Sequence, residues 1–116
     1  SRDDHFTRIS RVLKYIHSEY AEPIGTEEMA KRAGMSVSVF HHHFKLVTAS
    51  SPLQYLKRIR LDQARLLMVQ DGYNASMAAH AVGYESPSQF SREFKRLFGK
   101  TPTEDVEQTR ERFIAG

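Results

Sequence analysis

Apolar residues recur along nearly the whole chain at spacings of three and four, and no alternating strand pattern survives beside them. Spacings of that kind put residues on one face of an α-helix. Phe6, Ile9, Val12, Leu13, Ile16 and Tyr20 trace a first amphipathic helix over about 4–20. Glu22-Pro23-Ile24-Gly25 breaks it. Thr26 is the expected N-cap of a second helix, with Glu27 and Glu28 at the end where the helix dipole favours anions. That helix is expected to run to about Arg32 and close at Gly34. Ser36 caps a third, whose Phe40 and Phe44 form an i,i+4 apolar pair.

Ser51-Pro52-Leu53-Gln54 reads as a capping box with proline at the first helical position. It opens the longest helix, about 52–70. Leu53, Leu56, Ile59, Ala64, Leu67 and Met68 are expected to face cores, with Lys57, Arg58, Arg60 and Arg65 in water. Asp71-Gly72 stops it. Ser76 is expected to start a short alanine-rich helix ending at Gly83, with His80 packed among the alanines. Ser86-Pro87-Ser88-Gln89 repeats the capping signature and opens a helix to about Phe98, and Thr101-Pro102-Thr103-Glu104 opens the last. The pattern predicts an all-α fold of about seven helices.

The pattern also repeats. Ala30, Ala33, Gly34, Phe40, Phe44, Lys45, Ala49 and Pro52 align with Ala79, Val82, Gly83, Phe90, Phe94, Lys95, Gly99 and Pro102. The offset is 49 up to the glycines and 50 from the phenylalanines onward, so the second turn carries one extra residue. Short helix, glycine turn, second helix describes a helix-turn-helix, and here it occurs twice. The expected organisation is a first module over 1–51, a linker helix over 52–71 and a second module over 72–116. In each module the phenylalanine pair would pin the second helix to its core and leave the opposite face for a major groove.

Charge sharpens this picture. The net charge of +3 is unevenly distributed. Residues 37–70 carry five basic side chains against one acidic, and residues 86–100 carry four against one. The excess therefore follows the two glycine turns, which favours a nucleic-acid partner over a merely solvated surface. With no cysteine, disulfides and thiolate metal sites are excluded. The run His41-His42-His43 is no metal site, because consecutive helix residues point about 100° apart and cannot converge on one ion. No nucleophile elbow, phosphate loop or metal-ligand spacing is present, so neither enzymatic activity nor a cofactor is expected. No apolar run approaches the roughly 18 residues of a membrane span. The chain opens on Ser1 rather than Met and reads as a piece of something longer.

Two stretches carry a more specific likeness. "AVGYESPSQFSREFKRLFGKTP" (81–102) resembles the signature of the AraC/XylS family of bacterial transcription regulators. "AGMSVSVFHHHFKLVTASSPLQYLKRIRLDQARLLM" (33–68) resembles that family's first module and linker helix. The likeness extends over roughly 6–105. It implies one DNA-binding output domain, C-terminal to a separate sensor or dimerisation domain, acting in the bacterial cytoplasm at the nucleoid. The implied partners are double-stranded operator DNA and RNA polymerase. The alternative is a helical protein-interaction module contacting the transcription machinery.

The resemblance also implies roles. Ser38, His41, His42 and Lys45 match the base-reading and backbone-contacting positions of the first recognition helix, 37–48. Ser88, Gln89, Arg92 and Lys95 match those of the second, 87–98, with Ser86, Ser91 and Arg96 nearer the phosphates. The chemistry agrees: arginine forks onto guanine, glutamine pairs bidentately with adenine, and lysines neutralise phosphate. Two departures stand out. His42 occupies a position where the family often has arginine, and Asp105-Val106 replaces a frequent Tyr-Arg pair in the last helix. A linker helix of roughly 28 Å, against about 34 Å between successive major grooves, leads to the expectation that the recognition helices occupy adjacent grooves.

Overall fold

The computed structural model describes residues 4–115. Among them are seven α-helices and no strand: α1 (His5–Glu19), α2 (Thr26–Ala33), α3 (Val37–Thr48), α4 (Pro52–Asp71), α5 (Ala75–Ala81), α6 (Pro87–Phe98) and α7 (Pro102–Ala115). The chain divides into two compact units, one extending to Ile59 and the other starting at Arg60.

In the first unit α1, α2 and α3 close around Ile9, Val12, Ile16, Met29, Ala30, Ala33, Phe40 and Phe44, joined by Leu56 and Ile59 from the first half of α4. Phe6, expected on the same stripe of α1, is instead 65% exposed in the opening turn of the helix. Asp4 caps α1 by accepting from the Thr7 N–H at 2.7 Å, and that bond lowers the pKa of its carboxyl. Thr26 is not a cap: Gly25 occupies the position without a side-chain bond, and Thr26 is the first helical residue.

In the second unit Leu61, Ala64 and Met68 of α4 are buried, as are Ala78, Ala79, Val82, Tyr84, Phe90 and Phe94. Leu53 is 45% exposed and Leu61 is buried, which reverses the sequence expectation for the first and adds the second. Asn74, not Ser76, caps α5, accepting from the Met77 N–H at 2.8 Å, so the helix starts earlier than its alanine run suggests. His80 is exposed rather than packed, because Ala78 and Ala79 take the inward face. The α7 box is reciprocal: Thr101 Oγ1 accepts from the Glu104 N–H at 3.2 Å, and Glu104 accepts from the Thr101 N–H at 3.0 Å.

Arg65, expected in water, instead docks on α7. Its Nε and Nη2 donate to the two carboxylate oxygens of Asp105 at 2.6 and 3.0 Å. The Asp105 side chain is only 4% exposed. A carboxylate so deep requires such a partner. The acidic last helix is thereby tied to α4, and Arg110 adds a bond to the Met68 carbonyl at 3.3 Å.

Candidate nucleic-acid interface

Both modules build their turn in the same way. Gly34 sits in the left-handed region at φ 67°, with its N–H on the Lys31 carbonyl at 3.0 Å, and the Met35 N–H reaches the Ala30 carbonyl at 3.0 Å. Forty-nine residues later Gly83 is at φ 101°, with its N–H on the His80 carbonyl at 3.1 Å and the Tyr84 N–H on Ala79 at 2.9 Å. This pair of bonds is the Schellman closure, which a Cβ disfavours at the left-handed position. Serine then restarts the chain in each copy. Ser36 Oγ accepts from the Val39 N–H at 3.4 Å, and Ser86 Oγ from the Gln89 N–H at 3.2 Å. Between closure and cap the first module has Met35 alone, the second Tyr84 and Glu85.

The cores fix which face of α3 and α6 is left over. Phe40 and Phe44 are fully buried, with ring centroids 5.4 Å apart, and Phe90 and Phe94 are equally buried at 5.7 Å. Ser38, His41, His42 and Lys45 consequently stand exposed on α3. Ser88, Gln89, Arg92, Lys95 and Arg96 stand exposed on α6, with Ser86 and Ser91 half-buried. Within each module the site residues expected from the sequence therefore gather on one solvent-facing surface.

The fifty-residue register allows the two faces to be read side by side. Ser38 matches Ser88, and Lys45 matches Lys95. His42 stands where the second module has Arg92, Val39 where it has Gln89, and Leu46 where it has Arg96. Val39 and Leu46 were not among the residues expected to form the site, yet they are 41% and 69% exposed. The offset that aligned the phenylalanines was the signal that would have placed them.

The supports behind the faces differ too. In the second module Glu93 accepts from the Tyr84 hydroxyl at 2.6 Å and from Gln89 Nε2 at 2.8 Å, so Gln89 is aimed by α6 itself rather than returned to its cap. Burial, reinforced by the bond to Glu93, pushes the Tyr84 hydroxyl pKa far upward. Burial lowers the Arg60 pKa, while Tyr84 and Glu93 act in the opposite sense. In the first module His43 replaces Glu93. It does not enter the core: half-buried, it meets the His5 ring at 4.0 Å and the His42 ring at 5.1 Å. Partial desolvation lowers the His43 pKa first, and the neighbouring charges of His5 and His42 lower it further. Arg8 of α1 braces the turn, donating to the Gly34 carbonyl at 3.4 Å. Among the described residues no group of histidines and carboxylates is arranged to hold a metal ion, and no helix is long and apolar enough to cross a membrane.

Two glycine-closed, serine-capped turns, each presenting a second helix with one face buried and the other exposed, define a duplicated helix-turn-helix domain. The profile of a family described as a helix-turn-helix domain matches residues 29–108, and the chain belongs to that family, the DNA-binding domain of AraC/XylS-type regulators. The transcriptional activator RhaS of Escherichia fergusonii is 30% identical over 97 residues, covering 84% of this chain and 35% of RhaS. The chain thus spans about a third of the length of the curated relatives it matches. Among solved structures, the DNA-binding domain of the global transcriptional factor AdpA, in complex with a target DNA, matches with a TM-score of 0.88 at 29% identity. That match covers 94% of this chain and 98% of that one. A probable AraC-family regulator from Rhodopseudomonas palustris matches with a TM-score of 0.77 at 25% identity, over 87% of this chain and 95% of its own.

Proposed function

We propose that the chain binds double-stranded DNA in a sequence-selective manner as the output domain of a bacterial transcription regulator. The observation that carries this is the doubled surface, in which α3 and α6 each bury two phenylalanines and expose a polar face beside a capped N-terminus. Arg92 forks onto guanine, and Gln89, aimed by Glu93, pairs with adenine. Ser38, His41 and His42 approach base edges from α3, and Ser88 does so from α6. Lys45, Lys95, Arg96, Ser86 and Ser91 contact phosphates and set register. This reading places the protein in the cytoplasm at the nucleoid, and joins it in the full-length regulator to a sensor or dimerisation domain.

A salt titration tests the proposal. Binding to duplex should weaken linearly in log–log form as salt rises, because each neutralised phosphate releases counterions at about 0.9 per contact. An affinity that ignores salt and sequence would refute it. A second reading, docking to RNA polymerase or another part of the transcription machinery, is favoured by a groove of about 630 Å³ whose walls combine Leu66, Val69, Phe113 and Ile114 with Arg65, Gln70, Thr109 and Arg110. Binding there would respond weakly to salt and would survive loss of Arg92.

A further inference from the structure

The outward stripe of α3 is not a weakened copy of α6; it has a different chemistry. Val39, His42 and Leu46 lie at i, i+3 and i+7 on the face opposite Phe40 and Phe44. Two of the three are apolar, where the matched residues Gln89 and Arg96 are hydrogen-bonding. Exposed valines are common on protein surfaces and need no function by themselves. Val39 differs in its placement. It lies in the first turn of α3, the part of a recognition helix that reaches base edges. Its N–H is held by the Ser36 cap, so its backbone is fixed. In a helix the branched side chain has one strongly preferred rotamer, so its two methyl groups point in a set direction. At this position a valine offers no donor or acceptor. In the major groove the only methyl group on a base edge is the thymine 5-methyl.

We propose that Val39 is a specificity-determining residue that selects thymine through its 5-methyl group. The first module would then discriminate by apolar contact where the second discriminates by hydrogen bonds. This rests on the DNA-binding reading above and adds to it a base and an atom. Val37, comparably exposed, is not the reader, because it opens the helix on the side of Phe44 and matches Pro87. Leu46 lies two turns further along, matched to a residue assigned to phosphate, so it flanks the contact without making it.

The test uses the 116-residue chain and duplexes that it enriches from a random-sequence pool. Thymines of an enriched duplex are exchanged one at a time for deoxyuridine, which removes the methyl and keeps every hydrogen-bonding group. One exchange should weaken wild-type binding about fourfold, the worth of burying one methyl-sized group. In Val39→Ala the same exchange should have an effect below about twofold, because the side-chain methyls that met the thymine are gone. Val39→Gln, which installs the residue of the second module, should move the enriched base at that position from thymine to adenine. Circular dichroism of both variants should match wild type, since the side chain lies outside the core. If no thymine is sensitive, or if Val39→Ala keeps the full sensitivity, the assignment is wrong while the DNA-binding reading stands. If the chain enriches no sequence at all, both fail together.

Discussion

The two modules share a scaffold and differ in what they display. Residues that fold them repeat nearly unchanged: an alanine in the second turn of the first helix, a left-handed glycine, a serine cap and a phenylalanine pair. Residues that face outward diverge, from guanidinium and carboxamide on α6 to imidazole and aliphatic groups on α3. The buried and the exposed faces of the same helix therefore differ in how closely the two copies agree, and the exposed one varies while the buried one is held. The supports have diverged as well. Hydrogen bonds through Glu93 brace the second module, and ring contacts among His5, His42 and His43 brace the first.

The strongest test of this contrast is the tie between helices within each unit. Position 105 holds a buried aspartate on Arg65, whereas the matched Tyr55 meets His17 at 2.8 Å. Asp105→Ala should cost about 2–3 kcal/mol, below the usual figure for a broken buried pair because Arg65 is 38% exposed. Tyr55→Phe should cost about 0.5–1.5 kcal/mol. Hydrogen exchange within each unit measures both, and equal losses would erase the distinction.

On DNA, Arg92→Ala should weaken binding by about 1–3 kcal/mol and relax preference at one base pair. His42→Ala should cost less than about 1 kcal/mol, and His42→Arg should strengthen binding and steepen the salt slope by about one contact. Anisotropy titrations on an enriched duplex separate these outcomes. A histidine variant as damaging as the arginine one would show the first module to be an equal anchor.

A smaller effect concerns how the recognition helices end. Gly99 closes α6 at φ 78°, but Ala49 closes α3 at φ 61°, the left-handed region where a Cβ is strained. Ala49→Gly should stabilise the first unit by about 0.5–1 kcal/mol once the added chain entropy of glycine is subtracted, and Gly99→Ala should destabilise the second by a similar amount. Chemical denaturation of the two variants checks the opposite signs.

The smallest expected effect is on pH. The His43 pKa is lowered in the folded protein, so the unfolded chain takes up a proton first as pH falls. Stability is full above the ordinary histidine range, near about 6.5, and declines as pH drops through it toward the lowered value. Melting curves from about pH 7.5 to 5 should show this decline in wild type and a flatter profile in His43→Asn. At the matched position the second module has Glu93 rather than a histidine.

Helix number, order and the repeat were legible because apolar period, glycine and cap residues are local signals. The inward positions of α3 and α6 followed directly from the phenylalanine spacing. What was not legible depended on contacts distant in sequence. Arg65 looked like a solvated arginine until Asp105, 40 residues on, was brought beneath it. Gln89 was read both as half of a capping box and as a base reader, but its brace on Glu93 was not legible, because Glu93 was counted only as one acid in a basic stretch. His80 looked packed because its neighbours were alanines, yet the turn of α5 carries it outward. Val39 and Leu46 carry no hydrogen-bonding group and so were not among the residues expected on the outward face, where both stand exposed.

The extra residue of the second turn, Glu85, leaves both the Gly83 closure and the Ser86 cap intact and is exposed. The turn therefore tolerates a change of length without loss of either fixed point. Beside a recognition helix, that makes residue 85 a site for chemical labelling. The chain contains no cysteine, so Glu85→Cys would introduce a unique thiol. A fluorophore attached there would report duplex arrival through a change in its own emission, turning the fold into a readout of its binding.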